Sequence, residues 1–259
     1  MIDARLSAGC ASGNKSGPNP LARLLALGRP LVMGVLNVTP DSFSDGGQFF
    51  DPTRALDQAR RMIAQGADIL DIGAESTRPY GDAVSVRVEE EMRRLEPVLP
   101  AAVKLGAPVS IDTMKPEVAA WALAAGASII NDVWGLQRDR DMARLAAERT
   151  VPVIVMHNRE SADPSLDIMA EIAKFFARSL EIAEAAGVAH QNMVLDPGIG
   201  FGKTPEQSLI AIARLRELKS FGLPLLVGAS RKRIGSTLIA AGTTGAETRI
   251  DHVSDLDSL

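Results

Sequence analysis

The chain contains 259 residues, of which 46% are hydrophobic and 23% are charged, a composition typical of a globular protein with a substantial buried core. Its formal net charge of −4 provides no overall positive field for a polyanion, which argues against nucleic acid as a partner. Its one cysteine, Cys10, cannot form an internal disulfide, and no apolar run reaches the ~20 residues that span a bilayer. These features predict a cytoplasmic protein that does not associate with membranes.

The N-terminal stretch differs in composition from the rest of the chain. Its first 20 residues are rich in Ser, Gly, Asn and Pro, and they lack the continuous apolar segment of a secretory signal peptide. We therefore expect residues 1–20 to form a flexible arm. Residues 21–259 are expected to form a single domain, which begins with the helical pattern LARLLALG.

From residue 31 onward, short apolar segments rich in β-branched residues alternate with longer segments of helical period. The short segments predict seven strands, at 31–38, 68–74, 108–113, 128–134, 151–157, 192–198 and 223–230. The longer segments predict helices at 52–66, 115–126, 139–150 and 165–187. Strands that are apolar along nearly their whole length are typical of a parallel sheet with helical crossovers.

A weak internal repeat bears on the type of sheet. The segments QGADILDIGA and AGASIINDVWG each join a helix end, Gly-Ala, a strand and a polar residue, which favours a (β/α)₈ TIM barrel over an open, doubly wound sheet. No Gly-x-Gly-x-x-Gly turn follows the first predicted strand, which argues further against a dinucleotide-binding fold. Only seven strands are apparent and the seventh ends at residue 230, so we predict that the last βα unit is incomplete.

Every predicted strand ends in polar residues. In a (β/α)₈ barrel this end of the strands carries the active site, because it is built from the variable βα loops. A single polar residue there often caps the next helix, but seven on one rim predict a ring of converging polar groups. The residues concerned are Asn37, Asp71, Asp112, Asn131, Asp132, His157, Asn158, Asp196 and 230–233.

Three of these residues suit a flat heterocyclic ligand. The carboxylates of Asp112 and Asp196 could accept from paired N–H groups, and the amide of Asn131 offers both a donor and an acceptor. For Asp112, capping of the helix at 115–126 is an open alternative. Asp196 precedes PGIGFGKT, a glycine-rich loop that lets backbone approach a ligand closely but lacks the spacing of a P-loop.

Two further strand ends carry cationic groups. Residues 230–233 follow the seventh strand, where barrels often bind phosphate, although a solvated basic cluster is the alternative. Arg78 lies in the loop GAESTRP and could clamp a carboxylate or phosphate, or could simply be solvated. His157 is not expected to bind a metal, because no second His or Cys stands at ligand spacing.

Taken together, these motifs resemble a known family. The segments are MGVLNVTPDSFSDGG, GADILDIGAESTRP, VSIDTMKPEVA, GASIINDVWG, VPVIVMH, LDPGIGFGKT and LLVGASRKR. In this order they are similar to dihydropteroate synthase, the folate-pathway enzyme that sulfonamides inhibit. The resemblance covers roughly residues 30–235 and is specific in its combination of motifs.

The resemblance implies a pterin-binding TIM barrel that is usually dimeric and uses Mg²⁺. It also implies a transferase that joins 6-hydroxymethyl-7,8-dihydropterin diphosphate to p-aminobenzoate, giving 7,8-dihydropteroate and pyrophosphate in tetrahydrofolate biosynthesis. By position, the implied pterin-binding residues are Asp112, Asn131, Met156, Asp196 and Lys232. Of these, Asp112, Asp196 and Lys232 are the expected catalytic residues.

The resemblance assigns the remaining site residues to the second substrate and to the diphosphate. The implied p-aminobenzoate-binding residues are Phe43, Thr77, Arg78, Phe201 and Ser230. Asn37 is expected to contact Mg²⁺ and the diphosphate. Phe43 belongs to TPDSFSDGG, which we interpret as a lid that closes over the site.

The C-terminal region departs from the family pattern. The family continues through an eighth strand that ends in Arg-x-His, two residues that bind the diphosphate. Here only RIDHV resembles that signature, with Arg249 and His252 one residue too far apart, and by this partial match we assign them to the diphosphate. Because the family's last helices also form its dimer interface, the oligomeric state stays open. A non-catalytic pterin-binding remnant and a pterin-dependent methyltransferase are the alternatives, and TPDSFSDGG argues against the methyltransferase.

Overall fold

The computed structural model describes residues 19–39, 51–75 and 86–228. The strands in these ranges are β1 (Met33–Asn37), β2 (Ile69–Gly73), β3 (Val109–Asp112), β4 (Ile129–Asp132), β5 (Val153–Met156) and β6 (Met193–Asp196). The α-helices are α1 (Pro20–Leu25), α2 (Pro52–Ala64), α3 (Val88–Leu95), α4 (Leu99–Val103), α5 (Pro116–Ala124), α6 (Arg140–Arg149), α7 (Ile168–Ala186) and α8 (Pro205–Ala213). Two 3₁₀ helices cover His190–Asn192 and Leu215–Phe221.

The six strands form one parallel sheet in the order β1-β2-β3-β4-β5-β6, which is the chain order. Sequential parallel strands joined by helical crossovers are the arrangement of a (β/α) barrel, as predicted. A seventh strand position follows β6, because Leu225 forms a parallel bridge with Leu195. The amide of Leu195 donates to the carbonyl of Pro224 at 3.0 Å, and the amide of Leu226 donates to the carbonyl of Leu195 at 2.9 Å. Of the predicted strand 223–230, the described residues up to 228 thus form a single parallel bridge at Leu225 and no longer strand.

The predicted helices are confirmed, and their ends follow local chemistry. Asp167 caps the start of α7 by accepting from two backbone amides, and Gly187 ends that helix at φ +88°. The short helices α3, α4 and α8 were not predicted from the sequence. In α8 the boundary signal was present, since Thr204 and Gln207 form a capping box.

The buried apolar side chains form two separate clusters, one on each face of the sheet. On one face, alternate strand residues such as Leu36, Ile72 and Ile111 pack against the helices. On the opposite face, which we call the inner face, a smaller cluster lies near the start of the strands. Its members, the lower layer, are Leu21 of α1 and Ile69, Ile129, Ile154 and Val194.

Two residues further along the same strands, the inner face changes character. Because side chains alternate across a strand, residues i and i+2 share a face. We call the residues two positions after the strand members of the lower layer the upper layer. They are Asp71, Asn131, Met156 and Asp196. All four are buried. The sheet thus carries a layer in which three of the four side chains are polar directly above an apolar one.

Other sequence expectations concern parts of the chain beyond these ranges. The predicted arm at 1–20 lies almost wholly outside the described residues, and so does the lid, of which only its first residue, Thr39, is described. Everything after residue 228 lies outside them as well. Across the described ranges, no helix combines the length and the apolar character needed to cross a bilayer.

Candidate active site

Six of the predicted site residues lie in the described part of the chain. Five of them lie at the carboxyl ends of strands. Asn37, Asp112, Met156 and Asp196 are the last residues of β1, β3, β5 and β6, and Asn131 is the last residue but one of β4. The sixth, Phe201, lies in the loop that follows β6. The predicted residues that lie outside the described ranges are Phe43, Thr77, Arg78, Ser230, Lys232, Arg249 and His252. Their roles stay predictions.

The strand register brings the strand-end residues to one edge of the sheet. Asn37 is level with Gly73, Gly73 with Asp112, and Asp112 with Asn131. Met156 is level with Asp196 in the same way. Neighbouring strands are about 4.8 Å apart, so Asn37, Asp112 and Asn131 lie along one row. Asn131 is level with Ile154 on β5, so Met156 and Asp196 lie two residues further along their strands.

Asp112 lies over a glycine, and its carboxyl group lacks a full set of partners. A Cβ placed on Gly73 would lie 3.1 Å from Oδ2 of Asp112, so the carboxylate occupies the space that a side chain at Gly73 would need. Its Oδ1 atom is buried and has no hydrogen-bond partner among the described residues. Burial and then the neighbouring carboxylates, first Asp71 and Glu91, raise the pKa of Asp112 well above its usual value.

The capping alternative for Asp112 is wrong. The helix that follows, α5, begins at Pro116 with Lys115 at its N-cap, and no side chain caps it. Asp112 is therefore not required by the helix, and its carboxyl group is available to a ligand.

Asn131 is paired with Asp71, which the sequence did not assign to the site and which lies in the middle of β2, not at a strand end as predicted. The Nδ2 atom of Asn131 donates to Oδ2 of Asp71 at 3.0 Å. Burial raises the pKa of Asp71 to about 6, against the lowering effect of its hydrogen bonds. A carboxylate inside the apolar strand ILDIG was the signal that could have identified Asp71, because Asp is rarely buried unless it is paired or binds a metal.

Asp196 connects β6 to the glycine-rich loop. Its Oδ1 atom accepts from the amide of Gly198 at 2.7 Å, and its carbonyl accepts from the amide of His157 at 2.8 Å. Gly198 has φ +63°, and a Cβ there would lie 1.9 Å from the carbonyl oxygen of His157. Only glycine fits this close approach, so the loop is held directly against the end of β5.

A buried lysine holds the same loop from within. Lys203 is 3% exposed, and its Nζ atom donates to the carbonyls of Gly198 at 2.8 Å and Phe201 at 3.1 Å. The same Nζ lies 2.6 Å from Nδ1 of His157. Burial, followed by the positive charges of Lys203 and Arg159, lowers the pKa of His157 to about 2. His157 is therefore neutral and accepts from the lysine, which fixes the backbone around Phe201.

A second polar cluster supports the ends of β2 and β3 from the helix side. Lys115 donates to Oε2 of the fully buried Glu91 at 2.5 Å and also to the carboxylate of Glu75. Thr113 donates to Oε1 of Glu91 at 2.6 Å, and the amide of Val86 donates to Oε1 of Glu75 at 3.2 Å. This cluster places negative charge behind Asp112 and joins the two described ends of the chain that flank residues 76–85.

Within the described ranges, the candidate metal ligands at the strand ends are hard oxygen atoms. No cluster of three or more His, Cys, Asp or Glu in the described ranges could hold a metal ion. The side-chain oxygen of Asn37, at the end of β1, is a hard ligand of the kind that Mg²⁺ accepts. Mg²⁺ commonly keeps several waters and binds substrate phosphates, so one such residue fits an ion that arrives with a diphosphate.

The chain matches the family described as pterin binding enzyme over residues 33–254. It is 48% identical over 205 residues to a dihydropteroate synthase of Clostridium beijerinckii, an alignment that covers 79% of this chain and 75% of that protein. The solved dihydropteroate synthase of Xanthomonas albilineans with 4-aminobenzoic acid has a TM-score of 0.77 and 44% identity, over 83% of this chain and 78% of that one. The solved Thermus thermophilus enzyme in complex with 6HMPPP has a TM-score of 0.70 and 47% identity, over the same shares. The chain therefore belongs to the dihydropteroate synthase family of pterin binding enzymes and has the family's TIM-barrel fold.

Proposed function

We propose that the chain condenses 6-hydroxymethyl-7,8-dihydropterin diphosphate with p-aminobenzoate, giving 7,8-dihydropteroate and pyrophosphate. The observation that carries the proposal is the row of buried, incompletely paired polar groups at the strand ends, with Asp112 and Asn131 at its centre. The relatives solved with 4-aminobenzoic acid and with 6HMPPP support the choice of substrates.

The pterin ring would lie against the upper layer and the end of β3. Its ring N–H and amino groups would donate to the carboxylates of Asp112 and Asp196 and to the amide oxygen of Asn131. Met156, which is 4% exposed, would provide an apolar wall. Lys232 would also bind the pterin and act as a further catalytic residue.

The negative charge of the site favours an ionisation mechanism. The C–O bond between the pterin methylene and the diphosphate breaks, and the bonding electron pair leaves with pyrophosphate. The carbon left behind is a cation conjugated with the pterin ring, which the carboxylates of Asp112 and Asp196 stabilise electrostatically. The amine nitrogen of p-aminobenzoate then forms the new C–N bond, and the proton that it loses is accepted by the released pyrophosphate.

The glycine-rich loop would help to keep water away from this cation. Lys203 and Asp196 hold the loop against β5, and Phe201 lies on it. Exclusion of water favours the weakly nucleophilic amine over hydrolysis. Phe201 would line the p-aminobenzoate pocket together with Phe43, Thr77, Arg78 and Ser230.

The diphosphate would be held at the end of β1. Asn37 would contact Mg²⁺, and Arg249 and His252 are the proposed further contacts to the diphosphate. When bound, Mg²⁺ would neutralise the charge that develops on the leaving group. We also propose that residues 21–259 form one domain and that the protein acts in the cytoplasm. We further propose a homodimer of the family type as its oligomeric state.

A turnover assay tests the function directly. Purified protein is incubated with the pterin diphosphate, p-aminobenzoate and Mg²⁺, and pyrophosphate and pteroate are measured together. We expect equimolar products and loss of activity with EDTA that added Mg²⁺ restores. Pterin binding without turnover would identify a non-catalytic remnant instead. Methyl transfer from a methyl-pterin would identify a methyltransferase.

A further inference from the structure

Asp71 is a buried carboxyl group to which the proposed mechanism gives no task. It is 3% exposed, in the middle of β2, and belongs to the upper layer of the inner face. It is level with Val35 and Ser110 on the neighbouring strands and so lies below the strand ends. Within the upper layer it accepts a hydrogen bond from Asn131 at 3.0 Å.

The chemistry of that hydrogen bond determines which way the amide of Asn131 faces. An ionised carboxylate can only accept, so Asn131 must present its NH₂ group to Asp71. The amide oxygen, Oδ1, then faces away from Asp71, and it is buried without a hydrogen-bond partner in the described ranges. The two ends of an amide have nearly the same shape, so packing alone would not distinguish the two orientations.

We propose that Asp71 is a positioning residue that orients the amide of Asn131, so that the site offers an acceptor rather than a donor to the pterin ring. The inference rests on the proposed function. It assigns to Asp71 a role in specificity, namely selection for a flat heterocycle that carries an N–H donor at this position. It requires no contact between Asp71 and the ligand.

The ionisable character of Asp71 supports this role. A neutral amide in the same place would avoid the penalty of burying a charge, which is of the order of several kcal/mol before compensation. An amide could also donate, however, and Asn131 could then bind it in either orientation. Only an acceptor that cannot donate defines the orientation of its neighbour, and the pKa of Asp71, raised to about 6 by burial, still leaves it ionised at neutral pH.

The test first substitutes Asp71 alone and then exchanges the two residue types between positions 71 and 131. In Asp71→Asn the amide of Asn131 is free to turn its NH₂ group toward the ligand, which would place two donors against each other. We expect the dissociation constant for the dihydropterin diphosphate, measured by calorimetry, to rise about tenfold or more, since one misplaced hydrogen bond is worth about 1.4 kcal/mol.

The double variant Asp71→Asn/Asn131→Asp has the same net charge as the wild type. Residue 71 then donates, and the carboxylate at 131 can only accept, so an acceptor again faces the ligand. We expect this variant to regain at least about half of the lost binding free energy. A single variant with wild-type affinity, or a double variant that binds no better than the single one, overturns the proposal.

Asp132→Asn is the matched control. Asp132 is also a buried carboxyl of β4, but it lies on the helix side, where it accepts from the amides of Trp134 at 2.9 Å and Leu136 at 2.8 Å. In this variant the new NH₂ group faces one of the two backbone amides, so some stability is lost. The pterin dissociation constant of the folded variant should stay within about twofold of the wild type, because the change is on the opposite face. Equal weakening by both substitutions would show a general loss of structure and would contradict the specific role.

A measurement on the wild-type protein avoids any dependence on variant folding. The side-chain NH₂ signals of ¹⁵N-labelled Asn131 should exchange slowly both without and with the pterin diphosphate, because they face Asp71 throughout. Fast exchange in the free protein would overturn the proposal. The proposed function is judged separately, by turnover of the wild type, so pterin binding that follows the predicted pattern without turnover would reject catalysis alone.

Discussion

The lower and upper layers of the inner face belong to the same strands, yet they are built on opposite principles. The lower layer, which includes Ile69 and Ile129, is apolar and closed by Leu21 of α1. Two residues further along the strands, Asp71 and Asn131 each have a buried oxygen without a hydrogen-bond partner in the described ranges. Apolar burial stabilises the lower layer, whereas incompletely paired polar groups destabilise the free protein. The difference indicates that the upper layer is arranged for a ligand.

The largest expected effect comes from removing a charge above the lower layer. Asp196→Asn should lower turnover by about 100-fold or more, since removal of one preorganised electrostatic group commonly has an effect of this size. The amide oxygen can still accept from the amide of Gly198, so the loop geometry and the thermal midpoint should change little. Steady-state kinetics and calorimetry check this, and turnover within about threefold of the wild type would refute the role of Asp196.

The complementary substitution lies in the lower layer. Ile129→Ala removes a side chain that is 1% exposed and should lower the free energy of unfolding by about 2–5 kcal/mol. Urea denaturation measures this loss. At a temperature where the variant is folded, its Michaelis constant for the pterin diphosphate should match the wild type. A raised Michaelis constant with unchanged stability would contradict the separation of the two layers.

The pH dependence of stability gives a third comparison. The pKa of Asp71 is raised from 3.8 to about 6 in the folded protein, so the folded state holds a proton that the unfolded state releases between these values. The contribution of Asp71 therefore lowers the free energy of unfolding as pH rises from about 4 to 6, by at most about 1.4 kcal/mol per pH unit. Above that window the destabilisation is complete.

Asp71→Asn should remove this contribution. We expect the free energy of unfolding of the variant to rise relative to that of the wild type as pH rises through the window. Urea denaturation at about pH 4.5 and about pH 7.5 measures this difference near the lower end of the window and above it. The wild-type curve also contains Asp132, whose pKa burial raises to about 6, and Asp112, so the variant is compared with the wild type at each pH. Because the charge of Asp71 also raises the pKa of Asp112, the difference reports on Asp71 together with its effect on Asp112. A difference that does not change with pH would contradict the assignment.

The smallest effect on activity is expected from a substitution at Gly73, whose backbone lies against Asp112. In Gly73→Ala the new Cβ would lie 3.1 Å from Oδ2 of Asp112, so that carboxylate must move by a few tenths of an ångström. We expect kcat/KM to fall by about threefold, consistent with a small misplacement of one catalytic group. Gly34→Ala is the control, because its Cβ would meet the flexible Met62 on the helix side at 3.0 Å. Its kcat/KM should remain unchanged.

The prediction of the fold succeeded because its signals are local. Apolar segments of strand length, helical periods and glycines after helices each depend on a few neighbouring residues, and they placed β1 to β6 correctly. The strand-end positions of Asp112, Asn131 and Asp196 followed from the same pattern. The motifs that contain them are specific enough, in combination, to indicate the family from the order of residues alone.

Partners across the sheet could not be predicted in this way. Asp71 and Asn131 are 60 positions apart in the chain, and Lys203 and His157 are 46 apart. Each pair exists because the register of parallel strands and the path of a loop bring the two side chains together. The residue types alone therefore indicate a polar rim with the chemistry of the family. Which carboxylate orients a neighbour, which one is left for a ligand and which lysine holds a loop depend on distances that arise only when the sheet has formed.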